Sequence, residues 1–117
     1  MQTPSNITLN KEKTRLTVTF DGVDYLLTSE YLRVYSPSAE VQGHGPGQET
    51  LQVDKENVTI TRIEPTGNYA ITLFFSDGHD SGIYSFSHLY NLATNYDKLW
   101  PQYLQKLKQA GHKHSQL

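Results

Sequence analysis

Three side chains that could do chemistry stand together between residues 76 and 81. Asp77, His79 and Asp80 follow an apolar run and precede a helical pattern. An imidazole titrates near neutral pH and carboxylates tune it, so the three could bind a metal ion or transfer protons. The alternative is a plain turn, in which Asp77 caps backbone amides and His79 hydrogen-bonds to a neighbouring loop. Gly78 would then adopt the dihedral angles that other residues rarely take. A turn is the commoner outcome, and the sequence leaves both interpretations open.

Other kinds of reactive site lack their defining residues. The chain has no cysteine, which excludes disulfides, thiolate catalysis and Cys-ligated zinc. Gly43, Gly45 and Gly47 alternate, but no Lys-Ser/Thr pair follows them, so they do not form a phosphate-binding loop. No nucleophile elbow is evident. An enzyme that uses His79 as a general base would need a concave pocket beside that residue and a perturbed pKa.

A second group of residues could line a surface for a protein partner. Arg33 and Tyr35 precede a glycine-rich loop, and Asp77, Asp80 and Tyr84 belong to the corner after the apolar run. The alternative is that these side chains cover the edge of a sheet. The aromatic residues between positions 84 and 103 recur at helical spacing, which is more typical of a core than of a ligand-binding box.

Length and composition indicate one domain over residues 1–117. The chain has 117 residues, a formal net charge of −2 and a pI of about 6.2. No basic face typical of nucleic-acid-binding proteins is evident, and no apolar run approaches the ~20 residues that span a bilayer. The polar N-terminus has no apolar signal core. We therefore expect a cytoplasmic protein that binds neither nucleic acid nor a membrane.

Two hairpins are predicted to position these residues. The alternating runs 15–20 and 23–28 are joined by Asp21-Gly22, a strong hairpin signal because glycine accepts a positive φ without strain. The runs 57–63 and 69–75 predict a second hairpin, in which the apolar 69–75 run is the central strand.

From Ser85 onwards the hydrophobic period becomes that of a helix. Pro101 interrupts it, which predicts a helix break near Trp100 because proline removes a backbone hydrogen bond. Residues 36–50 are expected to form a surface excursion that is mobile at 42–48, and residues 112–117 a disordered tail, leaving an ordered core of about 5–111. We predict an α+β domain, with a small antiparallel sheet of four to six strands and C-terminal helices on one face.

Several motifs together resemble one known family. They are the Asp21-Gly22 turn, Tyr31 to Arg33, the run Phe75 to His79 that continues into Ser81 to Phe86, and the segments 96–100 and 110–111. Over residues 5–111 the pattern resembles the gamma-butyrobetaine hydroxylase-like N-terminal domain family, also called DUF971. In that family the domain occurs alone in small bacterial proteins, in front of an oxygenase domain, or appended to iron–sulfur carrier proteins. The oxygenase chemistry belongs to the separate catalytic domain, so the resemblance does not imply that activity here.

The resemblance also implies an ancestral zinc site. The family pattern is Cys-x-Cys-x-x-Cys with the corner histidine, and its positions fall on Ser36, Ser38, Val41 and His79. Structural zinc usually needs four thiolate or imidazole ligands. A serine hydroxyl does not ionise readily near neutral pH and valine cannot bind a metal. We therefore expect no zinc, with His79 as a vestigial ligand that hydrogen-bonds to the 36–41 segment.

These observations predict a non-catalytic accessory or protein-interaction domain, with an unidentified protein partner and no cofactor. The alternative is a metal-handling protein associated with iron–sulfur or iron/2-oxoglutarate enzymes. Its iron ligands would be Asp77, His79, Asp80 and His44.

Overall fold

The N-terminal residues form a three-stranded antiparallel sheet. In the computed structural model, which describes residues 2–117, its strands are β1 (Asn6–Leu9), β2 (Arg15–Phe20) and β3 (Val23–Thr28), in the spatial order β1-β2-β3. Asp21 and Gly22 join β2 to β3 with φ angles of 50° and 78°. Positive φ at both positions is the geometry that a two-residue hairpin needs. The predicted first hairpin is confirmed.

A second three-stranded antiparallel sheet holds the rest of the strands. It contains β4 (Ile60–Thr66), β5 (Ala70–Phe75) and β6 (Gly82–Ser85), in the order β4-β5-β6. Six strands agree with the predicted number, but they lie in two sheets rather than one. The sequence pattern does not predict β6, because its four residues fall in the stretch interpreted as the corner before the helix. The sheets are tied together by the Ile60 N–H, which donates to the Lys13 carbonyl at 2.9 Å.

Four helices complete the α+β fold. They are α1 (Ser29–Val34), α2 (Ala39–Gln42), α3 (Phe86–Thr94) and α4 (Tyr96–Gln109). α3 begins where the sequence predicts, since Ser85 Oγ accepts the His88 N–H at 3.0 Å. The predicted break near Trp100 is wrong, because α4 continues through Pro101 and the chain turns at Asn95 instead. A proline in the second turn removes only one intrahelical hydrogen bond, whereas Asn95 has a non-helical ψ of 19°.

The core lies where both sheets meet the C-terminal helices. β2 and β5 turn alternate side chains inward, and α3 and α4 cover them with apolar residues. The buried side chains include Leu16, Val18, Phe20, Leu73, Leu89, Leu92, Trp100 and Leu107. The aromatic series is largely core, as the helical spacing predicts. No helix within residues 2–117 has the length and apolar character that a membrane crossing requires.

The end of the chain differs from the disordered tail expected at 112–117. These residues fold back towards α4, and the His114 ring lies 5.8 Å from the Trp100 ring between centroids. Trp100 Nε1–H donates to Gln116 Oε1 at 2.9 Å. The sequence pattern cannot reveal this arrangement, because a bond partner of His114 is Glu30, far away along the chain.

Candidate functional site

His79 is held by a tight corner between β5 and β6. The His79 carbonyl accepts the Phe75 N–H at 2.9 Å, and the His79 N–H donates to Asp77 Oδ1 at 3.2 Å. Gly78 has a φ of 87°, which glycine adopts readily. The turn proposed from the sequence is therefore confirmed, with Asp77 as the amide cap. The corner turns the His79 side chain inward, so that only 1% of it is exposed.

The facing wall is the segment between α1 and α2. Ser36 is 0% exposed, and Ser38 and Val41 are buried too. Ser38 caps α2, since its Oγ accepts the Glu40 N–H at 3.2 Å. Ser38 Oγ also lies 2.7 Å from Ser81 Oγ, beside the corner. The first part of the predicted surface excursion is thus interior, because its hydroxyls find partners across the fold.

Both ring nitrogens of His79 are engaged by this wall. Nε2 lies 2.8 Å from Ser36 Oγ, and Nδ1 lies 3.0 Å from Glu40 Oε2. A carboxylate only accepts, so Nδ1 carries a proton, and in the neutral ring Nε2 accepts the Ser36 hydroxyl proton. Ser36 Oγ accepts the Ser38 N–H in turn, at 3.2 Å. The expected hydrogen bond between His79 and the 36–41 segment is confirmed.

The environment of His79 favours the neutral ring. Burial lowers the pKa of His79 because a charged imidazolium is poorly solvated there, and the positive charge of Arg33 lowers that pKa further. The Glu40 hydrogen bond acts in the opposite direction and does not outweigh the other two. A neutral ring with its proton on Nδ1 satisfies both hydrogen bonds, to Glu40 and from Ser36.

Asp77 is paired with two cations rather than with the imidazole ring. Its Oδ2 accepts from Arg33 Nε at 2.9 Å and from Lys55 Nζ at 2.8 Å. Burial raises the pKa of Asp77, but the hydrogen bonds from Lys55, the His79 amide and Arg33 outweigh burial and lower it to about 2. Asp80 is exposed, and so is His44 in the 42–48 loop. Among the described residues, only Ser36 and Glu40 hydrogen-bond to the His79 ring.

The predicted partner surface is only partly a surface. Tyr84 is 0% exposed and its hydroxyl donates to the Leu32 carbonyl at 2.5 Å, so its place on that surface is a wrong prediction. It lies on the inward face of β6, the strand that the sequence does not reveal. Arg33 is buried as well, and Tyr35 is half-buried, with its hydroxyl donating to the Leu99 carbonyl at 2.6 Å.

Glu40 is the site residue that sequence reasoning misses. Its carboxylate is the partner of His79 Nδ1, although the Glu40 side chain is 70% exposed. The available signal is its place after Ser38, an N-cap residue type. That signal predicts the start of a helix and says nothing about a histidine 39 positions away.

The side chains at positions 36, 38, 41 and 79, where the sequence resemblance implies an ancestral zinc site, do not fit zinc. Ser36 and Ser38 offer hydroxyls that are already hydrogen-bonded, Val41 offers no donor atom, and both nitrogens of His79 are occupied. Structural zinc takes four thiolate or imidazole ligands, whereas this set provides one imidazole. Within residues 2–117, no cluster of three or more His, Asp or Glu side chains could hold a metal ion.

Ser36, His79 and Glu40 have the hydrogen-bond order of a hydrolase triad, with a hydroxyl on one ring nitrogen and a carboxylate on the other. A nucleophile must reach its substrate, and Ser36 Oγ is enclosed. A cavity of about 410 Å³ opens beside Val41, between Tyr35, Tyr103 and Lys106, and His79 does not line it. This cavity therefore does not supply the pocket that a general base at His79 would need.

Comparison with known proteins identifies the relatives of this chain. A family model described as "Gamma-butyrobetaine hydroxylase-like, N-terminal" matches residues 7–90. A protein with an NMR solution structure is 49% identical, with a TM-score of 0.85, covering 97% of this chain and 90% of its own. Another NMR structure is 44% identical, with a TM-score of 0.81 and coverages of 97% and 86%.

A crystal structure extends the comparison. It is a protein of unknown function of the DUF971 family from Acidithiobacillus ferrooxidans, 34% identical with a TM-score of 0.61. The match covers 77% of this chain and 91% of that protein. No curated protein gives a significant match.

Proposed function

The chain belongs to the gamma-butyrobetaine hydroxylase-like N-terminal domain family, and from this premise we propose that it is a non-catalytic accessory or protein-interaction domain without bound zinc. One observation supports the proposal most: both nitrogens of the buried His79 ring are hydrogen-bonded, one to Ser36 and the other to Glu40. The protonated Nδ1 has no lone pair for a metal ion, and the Nε2 lone pair already accepts the Ser36 hydroxyl proton.

Hydrogen bonds replace metal–ligand bonds at this corner. The family pattern ties the 36–41 segment to the corner through a shared ion, whereas here Ser36 meets His79 and Ser38 meets Ser81. These bonds join the same two segments, so the domain keeps its shape without the ion. Buried polar groups that satisfy one another are stable in an interior, because none is left without a partner.

Zinc content of the untagged protein tests the proposal. Elemental analysis and a zinc titration should find far less than one tightly bound zinc per chain. The zinc content of His79→Ala should equal that of the parent protein and that of His44→Ala, the control at an exposed histidine outside the corner. Stoichiometric zinc that is lost in His79→Ala and kept in His44→Ala would contradict the proposal.

A fluorophosphonate probe tests the non-catalytic part. Such probes react with activated serine hydroxyls, and Ser36 is the hydroxyl that the His79–Glu40 pair would activate. Burial of Ser36 predicts no labelling in the folded protein. Labelling at Ser36 that disappears in His79→Ala would instead indicate a hydrolase.

The metal-handling alternative depends on donors that do not converge. Asp77 is occupied by Arg33 and Lys55, while Asp80 and His44 are exposed at separate positions. Ferrous iron added to isotopically labelled protein should therefore leave the amide signals of these residues unchanged. Saturable shifts confined to Asp77, His79 and Asp80 would favour the alternative. A cytoplasmic location and an unidentified protein partner remain parts of the proposal.

A further inference from the structure

Residues 112–117 follow α4 and fold back onto the domain through polar contacts. After Gly111, the His112 N–H donates to the Leu107 carbonyl at 2.9 Å and closes α4. The residues around it are exposed, yet the His114 side chain is only 3% exposed. We call residues 112–117 the strap.

His114 is the anchor of the strap. Its Nε2 lies 2.7 Å from Glu30 Oε2, and its Nδ1 lies 3.0 Å from the Gln116 N–H. Because an N–H only donates, Nδ1 accepts and Nε2–H donates to Glu30. Glu56 Oε1 is a second carboxylate near the ring, 3.7 Å from Nδ1. The imidazole therefore lies between two carboxylates, with the edge of Trp100 beside it.

Two neighbours of His114 fasten the strap to separate elements. The Ser115 N–H lies 3.3 Å from Glu56 Oε1, and the Ser115 hydroxyl also donates to that carboxylate. Gln116 accepts from Trp100 Nε1 at 2.9 Å. Three consecutive residues thus reach α1, the segment before β4, and α4.

The surface beneath the strap is acidic and aromatic. We define it by Glu30, Glu56 and Trp100, and a cavity of about 230 Å³ adjoins it, lined also by Arg15 and Tyr96. Burial raises the pKa of Glu30, and the hydrogen bond from His114 opposes this rise. A partly buried carboxylate without a donor is unfavourable, so a hydrogen-bond donor stabilises this surface, and His114 provides one.

The strap itself is weakly held. Apart from His114 its residues are exposed, and its attachments are a few polar contacts rather than buried apolar area. Segments with little buried apolar area open at low free energy. Lys113 gives the strap a positive charge, opposite in sign to the carboxylates of Glu30 and Glu56 that His114 and Ser115 contact.

We propose that residues 112–117 are a detachable strap on an acid–aromatic docking surface, and that the partner of this surface is a chain segment presenting a basic side chain. The strap shows the chemistry that the surface accepts: an N–H donor to Glu30, with the Glu56 carboxylate and the Trp100 ring beside it. A partner segment with that chemistry replaces the strap and uncovers Trp100. The docking role rests on the proposed function as an interaction domain, whereas the strap rests on its contacts alone.

Trp100 is the chain's single tryptophan, so its fluorescence reports the strap directly. In the full chain, His114→Ala should shift the Trp100 emission to the red and speed amide hydrogen exchange at Gln116, whose N–H loses its acceptor. His112→Ala is the matched control and should change neither, because His112 is exposed. Gln116→Ala, at an exposed position, repeats the test should His114→Ala fold poorly.

A peptide tests the docking surface. A synthetic peptide with the sequence of residues 111–117, added to the full-length His114→Ala variant, should return the emission towards that of the parent protein in a saturable way. The same peptide with alanine in place of its second histidine should not. Equal spectra and exchange for the His114, Gln116 and His112 variants would overturn the strap, and a shifted spectrum with no peptide response would overturn the docking surface. Neither readout involves a metal, so these failures are distinct from a failure of the zinc experiment.

Discussion

Replacing His79 with alanine should destabilise the domain without any metal being involved. The imidazole is nearly fully buried and makes two hydrogen bonds. The bond to Ser36 is worth ~1 kcal/mol, and leaving a buried hydroxyl without its acceptor adds a similar amount. The hydrogen bond to Glu40 contributes less to the free energy of unfolding than a buried charged pair would, since solvent screens that exposed carboxylate. With the lost ring burial, we expect the free energy of unfolding to fall by about 2–4 kcal/mol.

Urea denaturation followed by far-UV circular dichroism measures this change. His44→Ala is the control, because His44 is an exposed histidine. The midpoint of His79→Ala should fall while its m-value stays that of the parent protein, which would show that only stability has changed. The parent midpoint should be the same with and without a chelator. A loss below ~0.5 kcal/mol at equal m-value would refute the structural role, since that is the range of ordinary surface substitutions.

The same comparison has a pH dependence with a definite sign. The folded-state pKa of His79 is lowered, by burial first and then by Arg33. Its contribution to stability is therefore fully present above the unfolded value of about 6.5 and is lost as pH falls through the folded-state pKa. The stability difference between parent and His79→Ala should shrink between pH 7.5 and 5.5. A difference that grows on acidification would mean that the folded state prefers the charged ring.

Three further predictions follow from the same corner. The combined substitution Ser36→Cys, Ser38→Cys and Val41→Cys should create a site that binds one zinc per chain by elemental analysis, and a variant without zinc would show that the family pattern is misaligned here. Gly82→Ala should lower the free energy of unfolding by about 1–3 kcal/mol, because its Cβ would lie 2.9 Å from the buried Tyr84 ring and 3.1 Å from Ser36 Oγ. An unchanged unfolding midpoint would contradict that packing. In Asp77→Asn the free energy of unfolding should fall less steeply with pH below about 4 than in the parent protein. The Asp77 carboxylate stabilises the fold above its unfolded pKa of about 3.9, and this contribution is lost as pH falls through about 2. The same pH dependence for both proteins in urea titrations would argue against the ion pairs of Asp77.

The local parts of the fold follow from the sequence, and the non-local parts do not. Asp21-Gly22 predicts its hairpin because the turn geometry is decided by those two residues. Ser85 predicts the start of α3 because a cap bonds within its own first turn. β6 escapes prediction, since a four-residue strand depends on its partner β5 more than on its own pattern. The helix break predicted at Pro101 is wrong, because one lost hydrogen bond does not end a helix whose apolar face is packed.

The candidate site divides in the same way. The bond between His79 and the 36–41 segment was foreseeable through the family pattern, which places those residues side by side. Glu40 was not, because a contact across 39 positions leaves no trace in local sequence. The inward turn of Tyr84 and the docking of His114 on Glu30 likewise depend on tertiary packing that residue spacing does not encode.

The protonation of the two ring nitrogens of His79 tests the central claim most directly. It can be read from the nitrogen chemical shifts of the imidazole in isotopically labelled protein near neutral pH. We predict a neutral ring with its proton on Nδ1 and the Nε2 lone pair facing Ser36, unchanged when zinc is added. A proton on Nε2, or a ring nitrogen whose signal moves to a metal-bound position with added zinc, would contradict the account.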